Sequence, residues 1–173
     1  MAYKLLIMNN AGNTEINAAS SQSLEEQVAT LFRQLAESLP EGSVSLEIKP
    51  NSEPVLRGTR IELIPAVSSA ARISAVALNR GVVYLTFGRA TSLEVEVEHG
   101  CSPGTLIEDI RPLCEAVIRG NFEEDVWLEG SRAFKSIGRV NLGGKVITIR
   151  YRGSFHPFER TNKEHIEYSP FAG

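Results

Sequence analysis

His156 and Glu159 sit three residues apart, shortly after Arg150 and Arg152. An imidazole, a carboxyl group and a guanidinium at the end of a sheet could act as base, acid and phosphate clamp. Those are the parts of a small metal-independent nuclease site. These residue types are common and no distinctive motif accompanies them. His156, Glu159 and Arg150 therefore stand as an enzymatic alternative, not as the leading reading. Cys101 follows His99-Gly100 and precedes a helix start, where a helix N-terminus can lower a thiol pKa. A reactive cysteine also needs a positioned base, and in its absence Cys101 reads as a small loop residue. Cys114 falls on the apolar side of a helix and reads as core. The sequence contains no phosphate loop, dinucleotide fingerprint, zinc-type spacing or nucleophile elbow. Gly143-Gly144-Lys145 lacks the upstream glycine and the Ser or Thr of a phosphate loop. No cofactor and no metal is expected.

Charge carries more information than motifs. The 173 residues hold 18 Lys and Arg against 21 Asp and Glu, a net of −3. That mean argues against a general nucleic-acid binder, although the basic hairpin described below keeps nucleic acid open. The mean hides blocks: residues 1–48 are net −4, 49–90 net +4, 91–130 net −8 and 131–163 net +7. Such blocks either fold against each other or face a partner, including a second copy. Apolar runs such as Leu5-Leu6-Ile7-Met8 are far too short to span a bilayer. The N-terminus lacks the long apolar region of a signal peptide. Two cysteines are too few for a secreted disulfide framework. The expected location is cytoplasmic, or a virion for an assembly subunit.

The elements that must position these residues are legible from periodicity. Tyr3 to Met8 is a strand candidate, followed by a turn-like Asn9 to Asn13. Ser23 and Glu26 form a capping box for a helix whose apolar face is Leu24, Val28, Leu31, Phe32, Leu35 and Leu39. Pro40 and Gly42 stop it. Strands follow at 44–48, 60–64, 72–78 and 82–87, the last two flanking Asn79-Arg80-Gly81. Residues 92–98 alternate Leu93, Val95 and Val97 with Glu94, Glu96 and Glu98, a half-buried strand with an acidic outer face. A second helix starts near Thr105, with Glu108 at the capping-box position. Pro112 inside it implies a kink or a restart, and Gly120 ends it. Residues 125–129 form a strand with either Val126 and Leu128 or Trp127 inward.

Gly143-Gly144 closes the clearest hairpin. Its register sets Leu142 opposite Lys145, Val140 opposite Ile147, Arg139 opposite Thr148, Ile137 opposite Arg150 and Lys135 opposite Arg152. One face then holds Val140, Leu142, Ile147, Ile149 and Tyr151. The other holds Lys135, Arg139, Arg150 and Arg152. Directly opposed cations need an anion nearby. The candidates are the Glu94/Glu96/Glu98 strand face, an acidic partner, or phosphate.

The chain reads as an α+β fold, one mainly antiparallel sheet of six to nine strands with two amphipathic helices packed on it. Residues 1–153 form a single domain. Residues 154–173 form an aromatic-rich segment that docks on its own domain or on a partner. That segment with Tyr151 holds five of the twelve aromatics; Phe155, Phe158, Tyr168 and Phe171 are its anchor candidates. The functional expectation is a non-enzymatic protein-binding protein. One version is an inhibitor or immunity-type partner of a basic target. The other is a subunit of a larger assembly, such as a phage-type particle, with head-to-tail contacts between acidic and basic blocks. The expected binding residues are Glu94, Glu96, Glu98, Lys135, Arg139, Arg150, Arg152, Phe155, Phe158, Tyr168 and Phe171. The expected partner is another protein or a second copy, not a membrane.

Overall fold

A computed structural model of the protein describes residues 22–51, 58–78, 81–97, 102–153 and 161–172. The strand expected at 3–8 and its turn, Asn79-Arg80, Glu98, His99, Cys101, Phe155, His156, Phe158 and Glu159 lie outside these residues.

The first helix, α1 (Leu24–Glu37), begins where the sequence predicts. The Ser23 hydroxyl accepts the Glu26 backbone N–H, and the Glu26 carboxylate accepts the Ser23 N–H at 2.9 Å. This reciprocal pair satisfies two of the donors that every helix start leaves open. Val28, Leu31, Phe32 and Leu35 are buried along one face.

Five strands follow: β1 (Val44–Pro50), β2 (Thr59–Pro65), β3 (Ile73–Leu78), β4 (Val82–Phe87) and β5 (Thr91–Glu96). Each pairs antiparallel with the next, in chain order. Strand β5 shows the expected alternation, with Thr91, Leu93 and Val95 buried between half-exposed Ser92, Glu94 and Glu96. The helix α1 packs across β1, β2 and β3.

The second helix, α2 (Pro103–Ile118), departs from expectation at its start. Its cap is Ser102, with Pro103 in the first turn and no side-chain capping bond, so Thr105 and Glu108 form no capping box. A fixed φ and a missing N–H suit Pro103 to that place, where N–H groups have no helical partner. Nor does Pro112 break or restart the helix. Pro112 is exposed, while Ile110, Leu113, Cys114 and Val117 around it are buried in the core. That burial, at about 1.5–3 kcal/mol per large apolar side chain, offsets the lost backbone bond. At the other end, Gly120 at φ 76° lets its N–H reach the Val117 carbonyl and the Asn121 N–H reach the Ala116 carbonyl. This is a Schellman stop, and it turns the chain directly into the next strand.

Four more strands make a second antiparallel sheet: β6 (Phe122–Glu129), β7 (Arg132–Leu142), β8 (Lys145–Arg152) and β9 (Thr161–Glu167), in the order β8-β7-β6-β9. The fold is α+β with antiparallel strands, as the sequence predicts, but the nine strands divide between sheets of five and four. The helix α2 intervenes between β5 and β6, and β9 takes the free edge of β6. The β7–β8 register is the predicted one at every pair named above. Val126 and Leu128 point inward, and the register with β7 shifts between Trp127 and Leu128.

One apolar cluster spans both helices and both sheets. The sheets meet where β5 packs on β7 and β8. At that crossing Gly138 has no room for a side chain: a Cβ there would lie 2.5 Å from Thr91 Cγ2 and 2.9 Å from the Phe122 ring. A glycine inside a strand often marks such a close approach.

Candidate functional site

The inner face of the four-stranded sheet is structural. Glu124 on β6 is fully buried. Its carboxylate accepts the backbone N–H of Arg89 at 2.6 Å and of Ala90 at 3.3 Å, and the Thr91 hydroxyl at 2.9 Å. The Tyr168 hydroxyl also donates to it. A buried carboxylate with four donors is a satisfied one. Tyr168 stacks on Phe122 at 5.3 Å between ring centroids, and burial followed by the Glu124 bond pushes its phenol far up from the ordinary value. Phe171 is fully buried in the main core. Tyr168 and Phe171, expected as partner anchors, therefore hold the chain's end to its own body. Cys114 is buried as expected, and burial pushes its thiol up to about 12, which leaves no thiolate for chemistry.

The outer face carries the charge. Side chains directly opposed in an antiparallel ladder share a face. Across β9, β6 and β7 the outer rows are Glu167–Glu123–Arg139, His165–Asp125–Ile137 and Lys163–Trp127–Lys135. The edge strand β8 adds Thr148, Arg150 and Arg152 opposite Arg139, Ile137 and Lys135. The face thus has two ends of different chemistry.

At the first end, acids and bases neutralise one another. Arg139 donates to Glu123 at 3.1 Å and to Asp125 at 3.0 Å. Asp125 also meets His165 Nδ1 at 3.0 Å and Lys163 Nζ at 3.2 Å. Burial pushes the Asp125 carboxyl up, but the hydrogen bonds from His165, Arg139 and Lys163 outweigh it and hold the group at about 2. The bond to Asp125 raises His165 above its ordinary value. The anions that answer Arg139 thus come from the neighbouring strand β6. Glu94 instead lies opposite Tyr84 on the outer side of the five-stranded sheet, where burial and Glu94 raise the phenol's pKa. Among the described residues, Glu123, His165 and Glu167 have ligand atoms within 4.8 Å of one another and could hold a metal ion. Arg139 and Asp125 already engage two of the three through hydrogen bonds.

At the second end, cations gather around an indole. Lys135 Nζ lies 3.9 Å and Lys163 Nζ 5.1 Å from the Trp127 ring centroid. Both distances are within cation–π reach. Arg150 is exposed and has no carboxylate in ion-pair reach among the described residues. A pocket of about 440 Å³ opens here, lined by Trp127, Lys135, Arg150 and Arg152 among others.

The register argument brings Lys135, Arg139, Arg150 and Arg152 to one face, as expected. It misses Trp127 and Lys163, because β9 carries one apolar residue, Ile166, and shows no apolar alternation. Of the nuclease alternative, only Arg150 lies among the described residues. No family model, curated protein or solved structure significantly matches the chain. No helix among the described residues is long and apolar enough to cross a membrane.

Proposed function

We propose that this chain is a non-enzymatic protein-binding protein that docks an acidic partner surface on the outer face of its four-stranded sheet. The observation that carries the reading is Trp127, held half-exposed beneath Lys135 and Lys163 at the end of the sheet that also presents Arg150. Tryptophan and arginine are the residue types that dominate binding energy at interfaces. The fate of the charge blocks supports an acidic partner over a basic one. Glu123, Glu124 and Asp125 of the acidic block are engaged inside the chain. Of the basic block, Arg150 is exposed and has no carboxylate in ion-pair reach among the described residues.

A second copy is one partner of this kind. Glu94 and Glu96 face outward on β5 and give each copy an acidic strand face for the basic face of the next. Light scattering at low and high salt tests that version, which requires salt-sensitive self-association.

The general reading is tested by calorimetric titration of the full chain with an oligoglutamate peptide and a neutral peptide of equal length. Saturable binding of the acidic peptide alone, weakened in about 0.5 M salt, is expected, because such salt shortens screening to a few ångströms. The double charge reversal Lys135→Glu with Arg150→Glu should abolish it. Failure of the acidic peptide to bind at low salt, or unchanged binding by the double variant, overturns the reading.

A further inference from the structure

Strand β9 is an edge whose exposed groups complement themselves. Among the described residues it has a strand neighbour on one side alone, β6. The Tyr168 N–H, one residue past the strand, donates to the Phe122 carbonyl of β6 at 3.3 Å. In an antiparallel ladder the backbone groups of successive residues point alternately towards one neighbour and away from it. Asn162, Glu164 and Ile166 therefore turn their N–H and C=O towards β6, and Lys163, His165 and Glu167 turn theirs to the free edge. The side chains of those same three residues stand exposed on the outer face. The ladder with β6 runs the length of β9 without a register shift, and β9 contains no proline. Bulges and prolines are devices that ordinarily blunt an edge.

We propose that β9 pairs antiparallel with β9 of a second copy about a two-fold axis at His165. The inference goes beyond the acidic-partner reading and does not depend on it. The outward-facing residues allow three centres. Centred on Lys163, the pairing opposes lysine to lysine, and centred on Glu167 it opposes glutamate to glutamate. Like charges directly opposed destabilise a strand pair. Centred on His165, it sets Lys163 of each copy opposite Glu167 of the other and uses the outward backbone groups of all three residues. The Glu167 side chain is 81% exposed, with His165 Nε2 at 3.5 Å. Lys163 has three donors, of which Asp125 takes one at 3.2 Å. The two imidazoles meet at the axis, and each keeps its own Asp125 carboxylate at 3.0 Å as counter-charge. On the inner face Glu164 comes opposite the second copy's Ile166, with its charge held by Arg89. Such a contact is isologous and closes at two copies, unlike a head-to-tail chain of acidic and basic faces. It joins two four-stranded sheets into one of eight strands, with both outer faces on the same side.

The test follows the full chain by analytical ultracentrifugation and by amide hydrogen exchange, over a concentration series reaching about 1 mM, the weak end of specific association. The result expected is a monomer–dimer equilibrium with no larger species. The amides of Lys163, His165 and Glu167 should exchange rapidly in the monomer and slow about tenfold or more in the dimer, while those of Glu164 and Ile166 are protected in both. Glu167→Lys, at an exposed position, opposes lysine to lysine at both ends of the pairing and should weaken the dimer about tenfold or more. A chain that stays monomeric throughout overturns the inference. Growth past the dimer also overturns it and is the signature of the head-to-tail contact. A dimer that survives Glu167→Lys unweakened, or one in which those three amides stay fast, places the contact elsewhere and overturns it equally. The oligoglutamate titration reads the docking face separately from each of these results.

Discussion

Tyr168 donates its hydroxyl to the carboxylate of Glu124, joining residues 44 positions apart across the inner face of the four-stranded sheet. The same carboxylate accepts the backbone N–H groups of Arg89 and Ala90, which lead into β5. One buried side chain on β6 therefore ties the residue that follows β9 to the turn that leads into β5 of the first sheet. Tyr168→Phe removes one of four donors and should lower stability by about 1–2 kcal/mol. Glu124→Ala strands two backbone N–H groups and two hydroxyls, and should cost about 3 kcal/mol or more. Urea denaturation of the two variants measures both, and a smaller loss for Glu124→Ala than for Tyr168→Phe would contradict the arrangement.

Asp125 and His165 make stability depend on pH at both ends. The Asp125 carboxyl is held at about 2, below its ordinary 3.8. Its contribution is fully present above the unfolded value and is lost as pH falls from about 4 to about 2. His165 is raised above 6.5 by the same partner. Its contribution is present below that value and is lost as pH rises through the folded one. Asp125→Asn should weaken the acid limb and return His165 towards its ordinary value in an NMR titration. An unchanged His165 titration in that variant would show that Asp125 is not its partner.

Pro112→Ala should raise stability by about 1 kcal/mol or more, measured by thermal or chemical unfolding. The position is exposed, and alanine restores a backbone N–H to the turn and has the best helix propensity. A loss of stability would mean that the proline ring itself contributes packing.

Ending the chain after Arg160 removes β9, Tyr168 and Phe171. It opens the edge of β6, leaves Glu124 one donor short and empties a fully buried phenylalanine site, a loss of about 3–5 kcal/mol for the last alone. The truncated chain should lack a cooperative unfolding transition. A folded, cooperative truncation product would instead show that the segment is an appendage.

The fold was legible wherever one face of an element is apolar. The α1 stripe, the alternation in β5 and the Gly143-Gly144 turn each carry a periodic or steric signal that survives without tertiary context. The α2 cap was misplaced because Thr105 and Glu108 satisfy a local pattern that Ser102 and Pro103 also satisfy. The strand β9 was hidden because its outward Lys163, His165 and Glu167 alternate with Asn162 and Glu164 as well as Ile166. Its pairing is decided by the free edge of β6, which no local window contains. Half of the candidate site followed from the hairpin register. Trp127 joined it only because Lys163 arrives from β9 on one side and Lys135 from β7 on the other. The run Glu123-Glu124-Asp125 hid a division of labour that a strand imposes: alternate residues face opposite sides, so Glu124 turns into the core.

Trp127 is the chain's single tryptophan, so its fluorescence reports on the proposed docking face and nowhere else. The most direct test is to follow that emission while titrating oligoglutamate at low salt, in the native chain and in Lys135→Gln. The account predicts a saturable change in the native chain that is reversed by salt and needs several-fold more peptide in the variant. Binding detected by calorimetry with the tryptophan emission unchanged would place the acidic partner elsewhere and contradict the claim.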